Sequence, residues 1–117
     1  MIVVDVETTG LFPEKHSIVS IGALEFDNPL NQFYQENRVW EGAEIIDDDL
    51  EKGVVNALKV NGFTEEQVRF TNNYSLKESI GNFIKWSETC KEKTLAGHNV
   101  VFDVSFLKDS AYRSEIE

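Results

Sequence analysis

The sequence predicts a mixed α/β fold in a single domain. Three runs rich in β-branched residues occupy the first 40 positions, and the apolar spacing becomes helical from about Asp49 onward. A short apolar run and a last helical pattern follow, so the predicted order is three strands, helices, one strand and one helix. With 117 residues, 41% of them hydrophobic, the chain has the size of one domain with one core.

The three N-terminal strands are predicted from short runs bounded by turn residues. The runs are MIVVDVE at residues 1–7, SIVSIGALEF at 17–26 and NQFYQENRVW at 31–40. Asn28-Pro29 is a turn signal between the second and third runs. Both connections are therefore expected to be hairpins.

Helices are predicted in the middle of the chain from apolar spacing and capping residues. The first begins near Asp49 and stops at Gly62, with Leu50, Val54, Ala57 and Leu58 on one face. Two capping boxes open further helices, Thr64 with Gln67 and Ser75 with Glu78. The helix after Ser75 has the clearest apolar stripe, formed by Leu76, Ile80, Phe83 and Ile84. Lys91 and Lys93 are expected at its C-terminal end, where the helix dipole favours cations.

The C-terminal part is predicted to be one strand and one helix. TLAGH, residues 94–98, is typical of a short buried strand. Asn99 is a candidate N-cap for a helix that carries Val100, Val104 and Leu107.

Charge and composition exclude several classes of function. The net charge of -10 excludes a generally basic nucleic-acid-binding surface, but it leaves room for a local site bridged by metal ions. Cys90 is the single cysteine, so an intrachain disulfide is excluded. The sequence shows no leader pattern and no apolar window long enough to span a membrane, so a cytoplasmic protein without a membrane partner is expected.

Asp5 and Glu7 are an unusual pair for so apolar a strand. Because side chains alternate across a strand, both acids lie on one face at its C-terminal end. One interpretation is an edge strand whose acids are solvated. The other is a metal site, because the ends of buried strands carry the sites of α/β folds and Mg²⁺ prefers oxygen ligands.

Asp103 is a candidate third ligand. It falls in the first turn of the helix that follows the short strand, so its carboxylate is expected near the end of the sheet. The alternative is an acid favoured there only by the helix dipole. His98 and Asn99 likewise have an ordinary interpretation, as a strand-ending histidine and a cap.

Four segments together resemble the DEDD-type, or DnaQ-like, 3′-5′ exonucleases of the RNase H-like superfamily. VDVETTG is similar to the first motif of that family and AGHNVVFD to its second, while IVSIGALEF and ALKVNGFTEEQV are similar to the strand and the helical segment between them. The resemblance covers nearly the whole chain. It implies an RNase H-like mixed sheet flanked by helices.

The resemblance also implies a metal-dependent removal of nucleotides from single-stranded DNA or RNA 3′ ends, with two Mg²⁺ or Mn²⁺ ions. Asp5 would contact both ions, Glu7 would bind the ion that carries the attacking water, and Asp103 would help to hold the other. The residues implied at the terminal nucleotide are Thr8, Thr9, Gly10, Leu11, His98, Asn99 and Phe102. Leu11 or Phe102 could contact a base, although either could be a packing residue.

The chain departs from the family pattern after its second motif. A third motif, with a catalytic His (the DEDDh subgroup) and a fourth Asp, has no counterpart here, since Asp109 lies on another side of the helix from Asp103 and His16 has the wrong neighbours. We therefore expect a domain over residues 1–117 that stops early, lacks the last strand and helix, hydrolyses poorly by itself and self-associates or binds a polymerase. An inactive exonuclease-like module that binds a protein or a nucleic-acid end is the alternative. The choice between DNA and RNA stays open.

Overall fold

A computed structural model describes residues 1–45, 62–70 and 74–114 of the chain. The strands in these residues are β1 (Ile2–Thr8), β2 (Ile18–Glu25), β3 (Asn28–Glu36) and β4 (Leu95–Ala96). The helices are α1 (Glu65–Phe70), α2 (Leu76–Ser87) and α3 (Val100–Arg113). This order confirms the predicted α/β fold. The helix predicted from Asp49 lies outside the described residues, apart from Gly62, whose φ of 83° suits a stop.

The sheet places β1 in the interior, in the order β3-β2-β1-β4. β1 pairs antiparallel with β2 along its whole length and parallel with β4 only at Ile2 and Val3. The interpretation of β1 as an edge strand is therefore wrong, although Asp5 itself is exposed. Because β4 is so short, the side of β1 away from β2 borders α3 in its C-terminal half rather than another described strand.

The main core lies between the sheet and the two longer helices. Alternate residues of β1 face it, and Val4 and Val6 are buried against residues of both helices. The helical members of this core are Leu76, Ile80, Phe83, Phe106 and Leu107. A smaller cluster of Val19 with Val68 fixes α1, with Phe63 packed against it. The face of β1 that carries Asp5 and Glu7 is thereby left outside the main core.

The hairpin between β2 and β3 turns earlier than predicted. Glu25 pairs with Asn28, so the turn consists of Phe26 and Asp27, and Asn28-Pro29 belongs to the strand. Pro29 is tolerated because β3 is an edge strand of the described sheet and needs no ladder donor at this position.

The third strand also ends earlier than predicted, at Glu36 rather than near Trp40. After Glu36 the backbone N–H groups of Arg38 and Val39 donate to carbonyls of residues 74 and 68, outside the strand ladder. Contacts with the segments around α1 and α2 therefore replace strand pairing in a sequence whose composition still favours a strand.

Both capping boxes are confirmed, because the side chain and the backbone exchange hydrogen bonds in each of the pairs Thr64–Gln67 and Ser75–Glu78. The predicted places of Lys91 and Lys93 are wrong, since α2 ends at Ser87 and its last turn carries Lys85. Asn99 is the N-cap residue of α3, but its side chain makes no capping hydrogen bond. In the described residues, no helix combines the length and hydropathy that crossing a membrane requires.

Candidate active site

Asp5 and Glu7 lie side by side on β1 and open onto a cavity of about 440 Å³. Asp5 is exposed, Glu7 is half-buried, and their partners across β2 are Gly22 and Ser20. Small residues on β2 leave the space above both carboxylates open. The described residues that line the cavity are Asp5, Glu7, Ser20, Gly22, Tyr34, Glu36, Gly62 and Phe63.

Asp103 is held against the same strand from the helical side. Its Oδ1 accepts a hydrogen bond of 2.9 Å from the backbone N–H of Val6, between the two acids of β1, and the residue is 4% exposed. This contact is available because β4 pairs with β1 only up to Val3. Oδ1 thus accepts the hydrogen bond that the backbone carbonyl of a longer β4 would otherwise accept.

Gly97 brings the chain from β4 into α3 past the backbone of β1. A Cβ atom at this position would lie 2.7 Å from the carbonyl oxygen of Val4 and 3.7 Å from Oδ2 of Asp103. The first distance is too short for a real contact with backbone. Only glycine fits this close approach, which sets the position of Asp103 relative to β1.

The three carboxylates influence one another electrically. Burial, then the charge and hydrogen bond of Asp5, then the charge of Asp103, raise the pKa of Glu7 above its ordinary value of 4.5. Burial raises the pKa of Asp103 above its ordinary value of 3.8, and the charge of Asp5 adds to this rise, although the hydrogen bond from Val6 opposes it. A cation beside these carboxylates would favour the ionised forms of Glu7 and Asp103.

The donor set fits a divalent cation by its chemistry. All three groups are carboxylates, the hard oxygen ligands that Mg²⁺ and Mn²⁺ prefer, and Oδ2 of Asp103 is not taken by the bond to Val6. Within the described residues, no group of three or more His, Cys, Asp or Glu side chains is already arranged to hold a metal ion. The side chains are thus neighbours without forming a finished ligand cage.

Tyr34 and Glu36 belong to the cavity but were missed from the sequence. The Tyr34 hydroxyl donates to Oε2 of Glu36 over 3.2 Å, and partial burial together with the charge of Glu36 raises the pKa of Tyr34 above 10.0. Both residues face the acids of β1 across β2, because Gly22 pairs with Tyr34 and Ser20 with Glu36. This arrangement follows from the register of the β2–β3 hairpin. It could not be read from the sequence, because Asn28-Pro29 predicts the turn of that hairpin at the wrong residues.

The threonines implied at the terminal nucleotide hold the turn that follows β1. The Thr8 hydroxyl donates to the carbonyl of Gly10 over 2.6 Å, and the Thr9 hydroxyl donates to the carbonyl of Glu44 over 2.7 Å. Thr9 is fully buried and also accepts from the N–H of Ser17. Their side chains fix this turn, while Leu11 just beyond it is 63% exposed.

Gly10 is needed for the packing of His16. A Cβ at Gly10 would lie 2.5 Å from the His16 ring, which is buried and accepts a hydrogen bond at Nδ1 from the N–H of Phe12 over 3.0 Å. His16 therefore supports the turn as a packed, neutral ring. It is engaged away from the residues that line the acidic cavity.

His98, Asn99 and Phe102 lie near Asp103 at the start of α3. His98 and Asn99 are exposed, whereas Phe102 packs against Phe106 with ring centroids 4.9 Å apart. This contact with Phe106 supports the interpretation of Phe102 as a packing residue. His98 and Asn99 are the residues of this group whose surfaces face solvent.

His16 is expected to make folding sensitive to acid. Burial lowers the pKa of His16 below its ordinary value of 6.5, so the unfolded chain takes up a proton at a higher pH than the folded chain. The stability that depends on the neutral ring is complete above pH 6.5 and is lost as the pH falls through the pKa of the folded state. NMR titration of the imidazole, with urea unfolding at several pH values, measures this. A His16 that titrates at or above 6.5 would contradict it.

Comparison with known proteins places the chain in a family. The family described as Exonuclease matches residues 2–114. Ribonuclease T of Marinobacter nauticus is 28% identical over 125 residues, which cover 99% of this chain and 54% of that protein. The PolC-type DNA polymerase III of Mycoplasmopsis pulmonis is 28% identical and that of Pediococcus pentosaceus 29% identical, each over 99% of this chain and 7% of the polymerase.

The chain thus spans about half the length of the ribonuclease T it resembles and a small part of the polymerases. The match nevertheless covers the central strand, its acids and the helix that carries Asp103. Together with the mixed sheet in the order β3-β2-β1-β4, it shows that this chain belongs to the RNase T-type, DnaQ-like exonuclease family of the RNase H-like superfamily.

Proposed function

We propose that this domain is a metal-dependent 3′-5′ exonuclease that removes nucleotides from single-stranded DNA or RNA. The observation that carries the proposal is that Asp103, bonded to the N–H of Val6, lies beside Asp5 and Glu7 on the interior strand of a chain of the exonuclease family. Close carboxylates destabilise one another unless a cation lies between them. Perturbed acids in a cavity are also typical of functional sites.

The three carboxylates would hold two Mg²⁺ or Mn²⁺ ions. When bound, such ions supply a hydroxide-like nucleophile and neutralise charge on the leaving oxygen of a phosphodiester. Asp103 is suited to its part because Val6 fixes one carboxylate oxygen and leaves the other for a ligand. Asp5, the most exposed of the three acids, would be the one most accessible to ions from solvent.

The terminal nucleotide would lie between the turn after β1 and the start of α3. Leu11 is exposed beside that turn and could pack against a base, while His98 and Asn99 offer polar groups at the start of α3. Thr8, Thr9 and Gly10 would contribute backbone and shape, since their hydroxyls and packing are used internally. A polymerase partner is part of this proposal because the PolC relatives are polymerases.

Matched labelled oligonucleotides test the proposed reaction. A 3′-labelled single strand should lose its label at once with Mn²⁺ or Mg²⁺, whereas a 5′-labelled strand should give a ladder of shorter products. EDTA should stop both reactions, because the carboxylates alone supply no nucleophile. A closed circular single strand serves as control, and its cleavage would instead indicate an endonuclease.

A binding module without hydrolysis is the second candidate, and the surroundings of His16 favour it. The chain has two histidines, His16 is packed inside the turn after β1, and His98 is the other. General-base catalysis is worth roughly 10² to 10⁴ in rate, so slow hydrolysis is expected wherever no imidazole reaches the water. Binding of 3′ ends with no detectable product, at metal concentrations that saturate the acids, would favour this candidate.

A further inference from the structure

All three arginines of the chain line one cleft that is separate from the acidic cavity. Arg38, Arg69 and Arg113 meet there with Lys77 around a volume of about 680 Å³. These residues come from the segment after β3, from α1, from the C-terminal end of α3 and from the start of α2. Three separate parts of the chain, around residues 38, 69–77 and 113, therefore bring their cations together.

Two of these arginines are held in place by the fold. Arg69 donates from Nη2 to the carbonyl of Ala43 over 2.8 Å. Arg113 lies 3.7 Å from the centroid of the Trp40 ring, pairs with Asp109 at 2.7 Å and donates to the carbonyl of Glu14 over 3.0 Å. Their guanidinium groups are thus oriented by several contacts. Such orientation lowers the entropy cost of binding a ligand.

The cleft is locally basic in an acidic chain. Among its described lining residues the cations are the three arginines and Lys77, and Glu41 is the carboxylate. The chain as a whole carries a net charge of -10. Two further carboxylates offset part of this positive charge, because Glu78 lies near enough to Arg38 to interact with it and Asp109 pairs with Arg113. The N-terminal end of α2, whose Ser75 and Leu76 line the cleft, adds further positive potential.

Phosphate is the anion that this arrangement suits best. Guanidinium groups bind phosphate oxygens through paired N–H donors and hold their charge at any physiological pH. A single carboxylate would need one such group, whereas several cations spaced along a cleft, even with Glu41 and Asp109 beside them, suit a ligand with several negative charges. A phosphodiester strand is such a ligand.

The basic cleft and the acidic cavity are neighbours along the same chain segments. Glu36 lines the cavity and Arg38 lines the cleft, so their Cα atoms are at most about 7 Å apart. Phe63, just before α1, lines the cavity and Arg69, near the end of α1, lines the cleft, and α1 is about 9 Å long. One flexible strand of a few nucleotides can therefore reach both.

We infer that the cleft lined by Arg38, Arg69, Lys77 and Arg113 binds backbone phosphates of a single-stranded nucleic acid whose 3′ end lies at the acidic cavity. This inference rests on the proposed function for the position of the 3′ end. It supplies the attraction for a polyanion that the acidic surface otherwise lacks. The cleft thereby makes the site selective for strands several nucleotides long.

The test is the salt dependence of oligonucleotide binding. A 5′-fluorescein single strand is titrated by anisotropy in EDTA, so binding is measured without hydrolysis. The double variant Arg38→Gln/Lys77→Gln removes the two exposed cations of the cleft and keeps the two that support the fold. Lys85→Gln/Lys108→Gln removes the same charge from exposed positions outside the cleft and is the matched control.

Loss of two phosphate contacts should make the slope of log K against log salt shallower by about 1.4 in the cleft variant, with no comparable change in the control.

A second experiment compares hydrolysis of a dinucleotide and a 20-mer, and only the 20-mer should be slowed by the cleft variant. Equal slopes in both variants would overturn the inference. Binding of inorganic pyrophosphate without oligonucleotide binding would also overturn it. A shallower slope in a protein that hydrolyses nothing would support the cleft and reject the proposed reaction.

Discussion

Asp5→Asn is expected to abolish hydrolysis, with a loss on the order of 10³-fold or more. The reason is that the ions held by Asp5 supply several kcal/mol of transition-state stabilisation, and about 1.4 kcal/mol corresponds to tenfold in rate. The substitution preserves the size of the side chain, and Asp5 is exposed, so the fold should be unaffected. Asp27→Asn is the matched control, because it makes the same chemical change in the exposed turn after β2.

Metal binding provides a readout of this prediction that is independent of turnover. Calorimetric titration with Mn²⁺ should show binding to the unchanged chain and to Asp27→Asn, and little binding to an Asp5→Asn/Asp103→Asn double variant. The physical reason is that Glu7 alone cannot offset the cost of dehydrating the ion. Equal Mn²⁺ affinity in the double variant and the unchanged chain would reject the metal site.

Gly97→Ala is expected to lower the free energy of unfolding by about 1 to 3 kcal/mol, the usual cost of inserting a methyl group into a packed region. The new Cβ would lie 2.7 Å from the carbonyl oxygen of Val4, so β4 must move away from β1. β4 has only two pairs with β1, so little else holds it in place. The movement should displace Asp103 and weaken Mn²⁺ binding as well.

Gly81→Ala is the control for Gly97→Ala. A Cβ at Gly81 would meet no atom within 4 Å, and alanine is favoured over glycine within a helix, so α2 should be unchanged or slightly more stable. Urea unfolding of both variants, followed by Mn²⁺ titration, measures the two effects. If Gly97→Ala unfolded like the unchanged chain and bound Mn²⁺ equally well, the close approach at Gly97 would not position Asp103.

Local sequence patterns were sufficient for most of the secondary structure. The β-branched runs predict β1 and β2 within a residue or two, and the capping boxes predict the starts of α1 and α2, because these signals act between residues close in sequence. The Asn28-Pro29 signal, by contrast, predicts the turn between β2 and β3 two residues too late. Proline normally signals a turn, but its missing N–H costs little on an edge strand, and edge position is a property of the whole sheet.

The candidate site was predictable in part. Asp5 and Glu7 share a face because strands alternate, and Asp103 follows a strand at the start of a helix, so three acids at one end of the sheet follow from the sequence. The bond between Asp103 and Val6 was not predictable, because it depends on β4 ending after two residues. Thr9 and His16 show the same limit, since their hydrogen bonds to Glu44 and Phe12 depend on how the turn after β1 folds back.

The sequence by itself determined the α/β class, the order of the elements and the pair of acids on the central strand, because each of these depends on periodicity or on neighbours within a few residues. The tertiary structure alone decided that the three arginines lie in one cleft and that Tyr34 and Glu36 face Asp5 and Glu7. Those juxtapositions join residues dozens of positions apart. They arise from the packing of helices on a paired sheet, which no local pattern of residues encodes.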